Sequence, residues 1–224
     1  MEKIKLPMTE NTYATALIER RWLSKKAFEI VLERPADFDF QPGQRIQIFH
    51  EDIERDYSLS SAPSERNLAL CIRNIEGGAM SSVLSSIDIG TNLTFSGPFG
   101  YFIFQSDQRK PVFVATGTGI APFYSMLRAG ISDVTLLHGV RNPEELYYTA
   151  EIKKSAGSYV ACLSETANNH VDHYSGRVTD YLAKELPQDI YDFYLCGSGE
   201  MIRDVILLVD ERFPGSNIYT EPFF

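Results

Sequence analysis

The stretch that decides the fold is Ala115-Thr116-Gly117-Thr118-Gly119-Ile120-Ala121-Pro122. It follows an apolar run, Val112–Ala115, and opens a helix at Pro122. Gly117 and Gly119 let the backbone approach a diphosphate, and the helix start adds N–H donors and a favourable dipole. The spacing is G-x-G-x-x-P rather than the usual dinucleotide fingerprint, and such turns also serve packing alone.

Beyond this turn the apolar residues come in uninterrupted runs: Val112–Ala115, Val134–Leu137, Tyr159–Leu163, Phe193–Cys196 and Asn217–Tyr219. Segments with helical character separate them, at Pro122–Ala129, Pro143–Lys154, Val178–Glu185 and Glu200–Phe213. Strands buried on both faces and alternating with helices predict a parallel, doubly wound α/β sheet. Asn142-Pro143-Glu144-Glu145 supports one helix start, with an N-cap residue, a proline in the first turn and two acids.

On the other side of the turn, Gln105–Lys110 is a polar stretch that reads as a linker. Before it the period is two. Phe28, Ile30 and Leu32 share one face while Glu29 and Glu33 take the other; Ile46 and Ile48, then Leu68, Leu70 and Ile72, repeat the pattern. Short alternating runs between turns predict antiparallel strands with one wet face. Five or six of them in about a hundred residues suggest a closed barrel. A short helix at Gly78–Ser86 interrupts them. The expected division is therefore 1–106 and 110–224.

The 224 residues are 44% apolar and 23% charged, the balance of a folded protein, with a net charge of −9. That charge argues against nucleic acid as a partner. Cys71, Cys162 and Cys196 are too few and too widely spaced for a disulfide framework, a zinc site or a four-cysteine iron–sulfur cluster. No apolar run is long enough for a signal peptide or a membrane span, so a cytoplasmic setting is the expectation. Asn169-His170-Val171-Asp172-His173 offers two imidazoles but no third ligand, and no metal is expected.

Arg55-Asp56-Tyr57-Ser58-Leu59-Ser60-Ser61 combines a guanidinium fork suited to a diphosphate, a flat ring and a close-range hydroxyl. Gly77-Gly78-Ala79-Met80-Ser81 opens the short helix, so its N–H groups can hold the same diphosphate. One diphosphate site in each half suggests two dinucleotides. Tyr194-Leu195-Cys196-Gly197-Ser198-Gly199-Glu200-Met201 closes another parallel strand, at the sheet end where such folds bind ligands. Tyr219-Thr220-Glu221-Pro222-Phe223-Phe224 places an acid beside terminal aromatics.

Taken in order, RDYSLSS (55–61), CIRN (71–74), GGAMSS (77–82), GPFG (97–100), ATGTGIAPF (115–123), HGVR (138–141) with EELYY (144–148), SGRVTDYL (175–182), YLCGSGEM (194–201) and TEPFF (220–224) resemble the ferredoxin–NADP reductase family across nearly the whole chain. The likeness is to bacterial members and the reductase components of oxygenases. It implies a six-stranded antiparallel barrel holding FAD, then a Rossmann-like domain with a five-stranded parallel sheet for the nicotinamide nucleotide, and a cleft where the two cofactors meet. Arg55 would bind the FAD diphosphate, Tyr57 would pack on the flavin, and Ser58 would hydrogen-bond near the atom that accepts hydride. Cys71, Ile72 and Arg73 would border the FAD, with Gly78, Ala79, Met80 and Ser81 around its diphosphate. Thr116, Gly117, Thr118, Gly119 and Pro122 would take the diphosphate of NAD(P)H. Cys196 and Gly197 would face the nicotinamide, with Met201 in the same motif. Glu221 matches the family's C-terminal acid, and Phe223 or Phe224 its flavin-shielding aromatic, here Phe rather than Tyr.

The implied activity is hydride transfer from NAD(P)H to FAD, then electron delivery to a protein acceptor such as a ferredoxin, a flavodoxin or an oxygenase component. Reduction of free flavin or another small acceptor, and an electron-transfer subunit without independent turnover, are the alternatives. Where NADPH-using relatives carry an arginine for the 2′-phosphate, this chain has Glu165, with Arg141 and Arg177 remaining as phosphate partners. NADH is therefore the expected preference.

Overall fold

The computed structural model describes residues 12–105, 109–166 and 173–223. The first sheet comprises β1 (Thr12–Ser24), β2 (Ala27–Glu33), β3 (Arg45–His50), β4 (Ile53–Ser58), β5 (Asn67–Arg73) and β6 (Asn92–Phe99), with α1 (Ala79–Ser86) between β5 and β6. Its order is β4-β3-β6-β1-β2-β5, and every pairing is antiparallel. An isolated bridge from Leu59 to Leu70 joins the continuation of β4 to β5, so the two edges meet and the sheet closes. Inside lie Leu17, Phe28, Ile30, Ile46, Ile48 and Phe95, as the period of two demands.

The expected wet face of β2 holds for Glu33, which is exposed, but not for Glu29, which is only 8% exposed. There the outside of the barrel meets the second half of the chain. Tyr148 donates its hydroxyl proton to Glu29 at 2.6 Å and Arg21 reaches the other carboxylate oxygen at 2.8 Å. Each charge-assisted bond of this kind contributes about 1.5–3 kcal/mol, enough to hold a carboxylate at an interface.

The second sheet comprises β7 (Lys110–Thr116), β8 (Thr135–Val140), β9 (Ser158–Leu163), β10 (Tyr174–Ser175), β11 (Tyr191–Ser198) and β12 (Asn217–Phe223). Its order is β10-β9-β8-β7-β11-β12, all parallel. Among the described residues it therefore has six strands, not the expected five. The extra one, β10, is a two-residue edge strand pairing with Cys162 and Leu163, too short to produce a periodic signal. The helices α2 (Ala121–Arg128), α3 (Thr149–Ser155), α4 (Val178–Lys184) and α5 (Gly199–Arg212) pack around it.

The helix expected at Pro143–Lys154 is broken. A single 3₁₀ turn spans Pro143–Glu145, Leu146 is extended, and Tyr148 is left-handed at φ 57° before α3 begins. Tertiary packing overrides the helical pattern here, because Tyr148 stacks on Tyr124 with ring centroids 4.0 Å apart and reaches across to Glu29. One apolar cluster unites Ala27, Cys71 and Phe102 of the first half with Phe123, Tyr124 and Tyr194 of the second. The space between the sheets is thus set by a packed core rather than by a loose tether.

Candidate active site: a cleft between the two sheets

The sheet order reverses between β7 and β11, and in open parallel sheets ligands collect beyond the strand ends at such a point. There the loop after β7 packs on the loop after β11. A Cβ on Gly119 would collide with the Cys196 carbonyl, and one on Gly197, at φ +133°, would strike the Thr116 hydroxyl oxygen. The Ser198 amide donates to Thr116 Oγ1 at 3.0 Å, and Ser198 Oγ caps α5 by accepting from the Met201 amide. Gly119 therefore serves the packing of the two loops, while Thr116, Gly117 and Thr118 line the open cleft.

The cleft has a volume of about 940 Å³. From the barrel it gathers Arg55, Tyr57, Ser58, Cys71 and Arg73, with Gly78–Ser81 at the start of α1. From the second sheet it takes Arg141, Arg177, Gly197, Met201, Glu221 and Phe223 beside the β7 loop. Ile72, at 1% exposure, belongs to the barrel core instead. Pro122 is buried in α2, and Cys196, at 0% exposure, sits in the shared apolar cluster, paired in register with Glu221 across β11 and β12. Glu165 lines an adjoining recess of about 480 Å³ with Arg141, Ser164, Gly176, Arg177 and Asp180. Phe224 and His170 lie outside the described residues.

Although the chain carries 30 acidic and 21 basic residues, the cleft reverses the balance, with six basic and five acidic side chains along its walls. Anionic ligands are thus favoured locally. The first-turn N–H groups of α1 receive no side-chain cap from Gly78. Such uncapped donors suit a phosphate. The Ser58 hydroxyl is buried, lines the cleft, and has no hydrogen-bond partner among the described residues. An unpaired buried hydroxyl costs about 1–3 kcal/mol, so a polar ligand atom at this position would relieve it. These features fit a flavin dinucleotide bound along the barrel wall.

The groups whose protonation the fold perturbs are held neutral or paired. Burial pushes the Tyr57 phenol up to about 12 against the opposing pull of Arg55, leaving an uncharged ring face. Burial likewise raises the Cys71 and Cys162 thiols to about 12 and the Cys196 thiol well above its usual value. Burial also raises Glu221, and Arg45 counteracts it through a hydrogen bond of 3.0 Å. His138 is fully buried behind the Thr116–Thr118 loop. Burial lowers its pKa to about 4, so the neutral ring donates from Nε2 to the Gly117 carbonyl at 3.0 Å. The site can position and polarise, as hydride transfer between stacked rings requires, without a reactive thiolate.

Sequence reasoning missed four contributors. Ser198 has a legible signal, a serine three residues before Met201 at a helix start. His138 stands in a quoted motif but gives no sign of its bond to Gly117. Arg45 reads as an ordinary wet-face residue beside Ile46, and the ion pair from Lys26 to Glu145 at 2.6 Å spans 119 residues.

Comparison with known proteins agrees with this geometry. Residues 15–104 match the oxidoreductase FAD-binding domain and residues 113–206 the oxidoreductase NAD-binding domain. The chain thus carries two oxidoreductase domains in tandem, the FAD-binding one and then the NAD-binding one. It is 29% identical to the toluate 1,2-dioxygenase electron transfer component of Pseudomonas putida over 94% of this chain and 67% of that protein. It is 32% identical to methane monooxygenase component C of Methylosinus trichosporium over 83% of this chain and 63% of that protein. The chain thus spans about two thirds or less of the length of these relatives. A ferredoxin NADP+ reductase from Neisseria gonorrhoeae, solved with bound FAD and NADP, shares the fold with a TM-score of 0.83 at 24% identity, covering 96% of this chain and all of that one.

Proposed function

We propose that this chain passes hydride from NAD(P)H to FAD and delivers the electrons to a protein acceptor, a ferredoxin, a flavodoxin or an oxygenase component. The observation that carries the reading is the cleft itself. It faces the uncapped start of α1 and the unpaired Ser58 hydroxyl toward the Thr116–Thr118 loop. FAD supplies the hydride-accepting ring and passes electrons onward singly.

The residues around it act by placement. Arg55 and the Ala79–Ser81 amides bind a diphosphate, with Gly78 beside them, its own amide turned to the Ile75 carbonyl. Tyr57 offers an uncharged face, and Ser58 donates one hydrogen bond to the ring. Thr116, Gly117 and Thr118 receive the second diphosphate, with Gly197 at the nicotinamide and Cys196 supporting it from the core side. The units are residues 1–106 for FAD and 110–224 for the nicotinamide nucleotide. The toluate 1,2-dioxygenase relative, an electron transfer component, supports a protein acceptor.

NADH is the preferred donor in this reading. Arg141 already faces Glu165 at 3.9 Å and Arg177 faces Glu200 at 3.6 Å, so a 2′-phosphate must compete with carboxylates for both guanidinium groups. Three unpaired cysteines suit a reducing cytoplasm. Among the described residues no helix is long and apolar enough to cross a membrane. Mixing the yellow holoprotein with NADH or NADPH without oxygen tests the activity. Loss of the flavin's visible absorption, followed by its return on adding an oxidised ferredoxin or oxygenase component, is the expected result; a flavin that neither nucleotide bleaches refutes it.

A further inference from the structure

Arg45 makes contacts that neither its strand nor its neighbours in sequence foreshadow. It lies on β3, pointing away from the barrel core, with its side chain 31% exposed at the cleft wall. Its Nε donates to Asp56 Oδ2 on β4 at 2.9 Å, and one terminal nitrogen donates to Glu221 Oε1 on β12 at 3.0 Å. Gln47 holds the other Asp56 oxygen at 3.1 Å, so that carboxylate is anchored from two sides. The backbone makes room for the guanidinium as well. A Cβ on Gly100 would stand 2.8 Å from the same terminal nitrogen that reaches Glu221. The contact joins residues 176 apart and ties the barrel to the last described strand, two residues before Phe223.

We propose that Arg45 is a positioning residue for hydride transfer, a clamp from Asp56 to Glu221 that fixes Glu221 and Phe223 in the cleft. The proposal rests on the function proposed above. Two consequences follow from the charges. Arg45 is the cation that faces Glu221; Asp56 on β4 is the nearby anion, and Cys196 on β11 is a protonated thiol. With Arg45 gone, burial and Asp56 both favour the protonated acid, so Glu221 would take a proton at higher pH. The end of β12 would also lose its side-chain link to β3 and β4. A guanidinium can hold both carboxylates through separate N–H groups, whereas a lysine ammonium is a point charge on a flexible stem.

The test compares wild type, Arg45→Met, Arg45→Lys, Glu221→Gln and the Arg45→Met/Glu221→Gln double variant, each with FAD bound. Stopped-flow reduction by NADH gives the limiting rate and the half-saturating concentration across pH, and hydrogen exchange reports the β12 amides. Arg45→Met should lower the limiting rate on the order of tenfold or more, as misplacement of a reacting group does, with a smaller change in half-saturation. Its acid limb should move to higher pH, and the β12 amides should exchange faster. Arg45→Lys should restore the acid limb more fully than the limiting rate. The double variant should be no slower than Glu221→Gln alone; losses that multiply would show that Arg45 does not act through Glu221 and overturn the proposal. An unchanged rate, acid limb and exchange in Arg45→Met would overturn it too. If Arg45→Met fails to fold, the same comparison is made with Arg45→Lys. Wild-type protein that neither nucleotide reduces would refute the proposed function instead. Exchange then decides the clamp: faster β12 exchange supports it and unchanged exchange overturns it.

Discussion

His138 gives the structure a built-in dependence on acid that can be worked out and measured. Its imidazole is fully buried, and burial lowers its pKa from 6.5 to about 4, against the opposing effect of the Gly117 carbonyl. Between these values the unfolded chain binds a proton that the native chain does not. The corresponding stability is therefore fully present above 6.5 and is lost as the pH falls toward 4. The whole gap is worth roughly 3 kcal/mol at about 1.4 kcal/mol per pKa unit, and about 2 kcal/mol of it disappears between about pH 7 and about pH 5. In His138→Gln the amide can still donate to Gly117 but does not titrate. Urea unfolding of both proteins at the two pH values, with FAD in excess, should show a loss about 2 kcal/mol smaller in the variant. Other titrating groups are common to both chains and cancel in the difference. Equal losses would mean that His138 is already protonated in the native state or that acid opens the loop without cost, and the account of its role beneath Gly117 would fail.

Denaturing the yellow protein and weighing the released flavin should give FAD, since Arg55 and the Gly78–Ser81 helix start offer a diphosphate site that FMN would leave half used; FMN alone would show that assignment to be wrong. Ser58→Ala removes a hydroxyl with no protein partner, so thermal stability without flavin should hold. The limiting rate of flavin reduction should fall about tenfold, the worth of one hydrogen bond, and an unchanged rate would remove Ser58 from the hydride path. Wild-type protein should show a higher kcat/KM with NADH than with NADPH. Glu165→Arg should shift that ratio toward NADPH by about tenfold, the effect of one charge-assisted bond. A wild-type preference for NADPH would mean that Arg141 and Arg177 bind the phosphate despite Glu165 and Glu200.

What the sequence determined by itself was whatever is local or periodic. Alternation at Phe28, Ile30 and Leu32 dictates a barrel wall, because side chains on a strand change face at every residue. Uninterrupted runs such as Val112–Ala115 dictate strands covered on both faces, and the turn at Gly117–Pro122 dictates where a diphosphate can approach. The ordered motifs placed Tyr57, Ser58, Glu221 and Phe223 in one reductase family, and the fold brings all four to one cleft. Tertiary structure alone decided the rest. Glu29 reads as a solvated acid until Tyr148 arrives from 119 residues away, and that same contact breaks the helix expected through Tyr148. Cys196 and Gly119 carry the pattern of cleft residues, yet close packing between the β7 and β11 loops places them in the wall. Arg45 shows no signal, because a residue's period specifies which face it occupies but not what the distant chain sets against that face. Burial of paired charges and hydrogen bonds between remote elements depend on distances in three dimensions. Those distances are fixed only when the two sheets share a core.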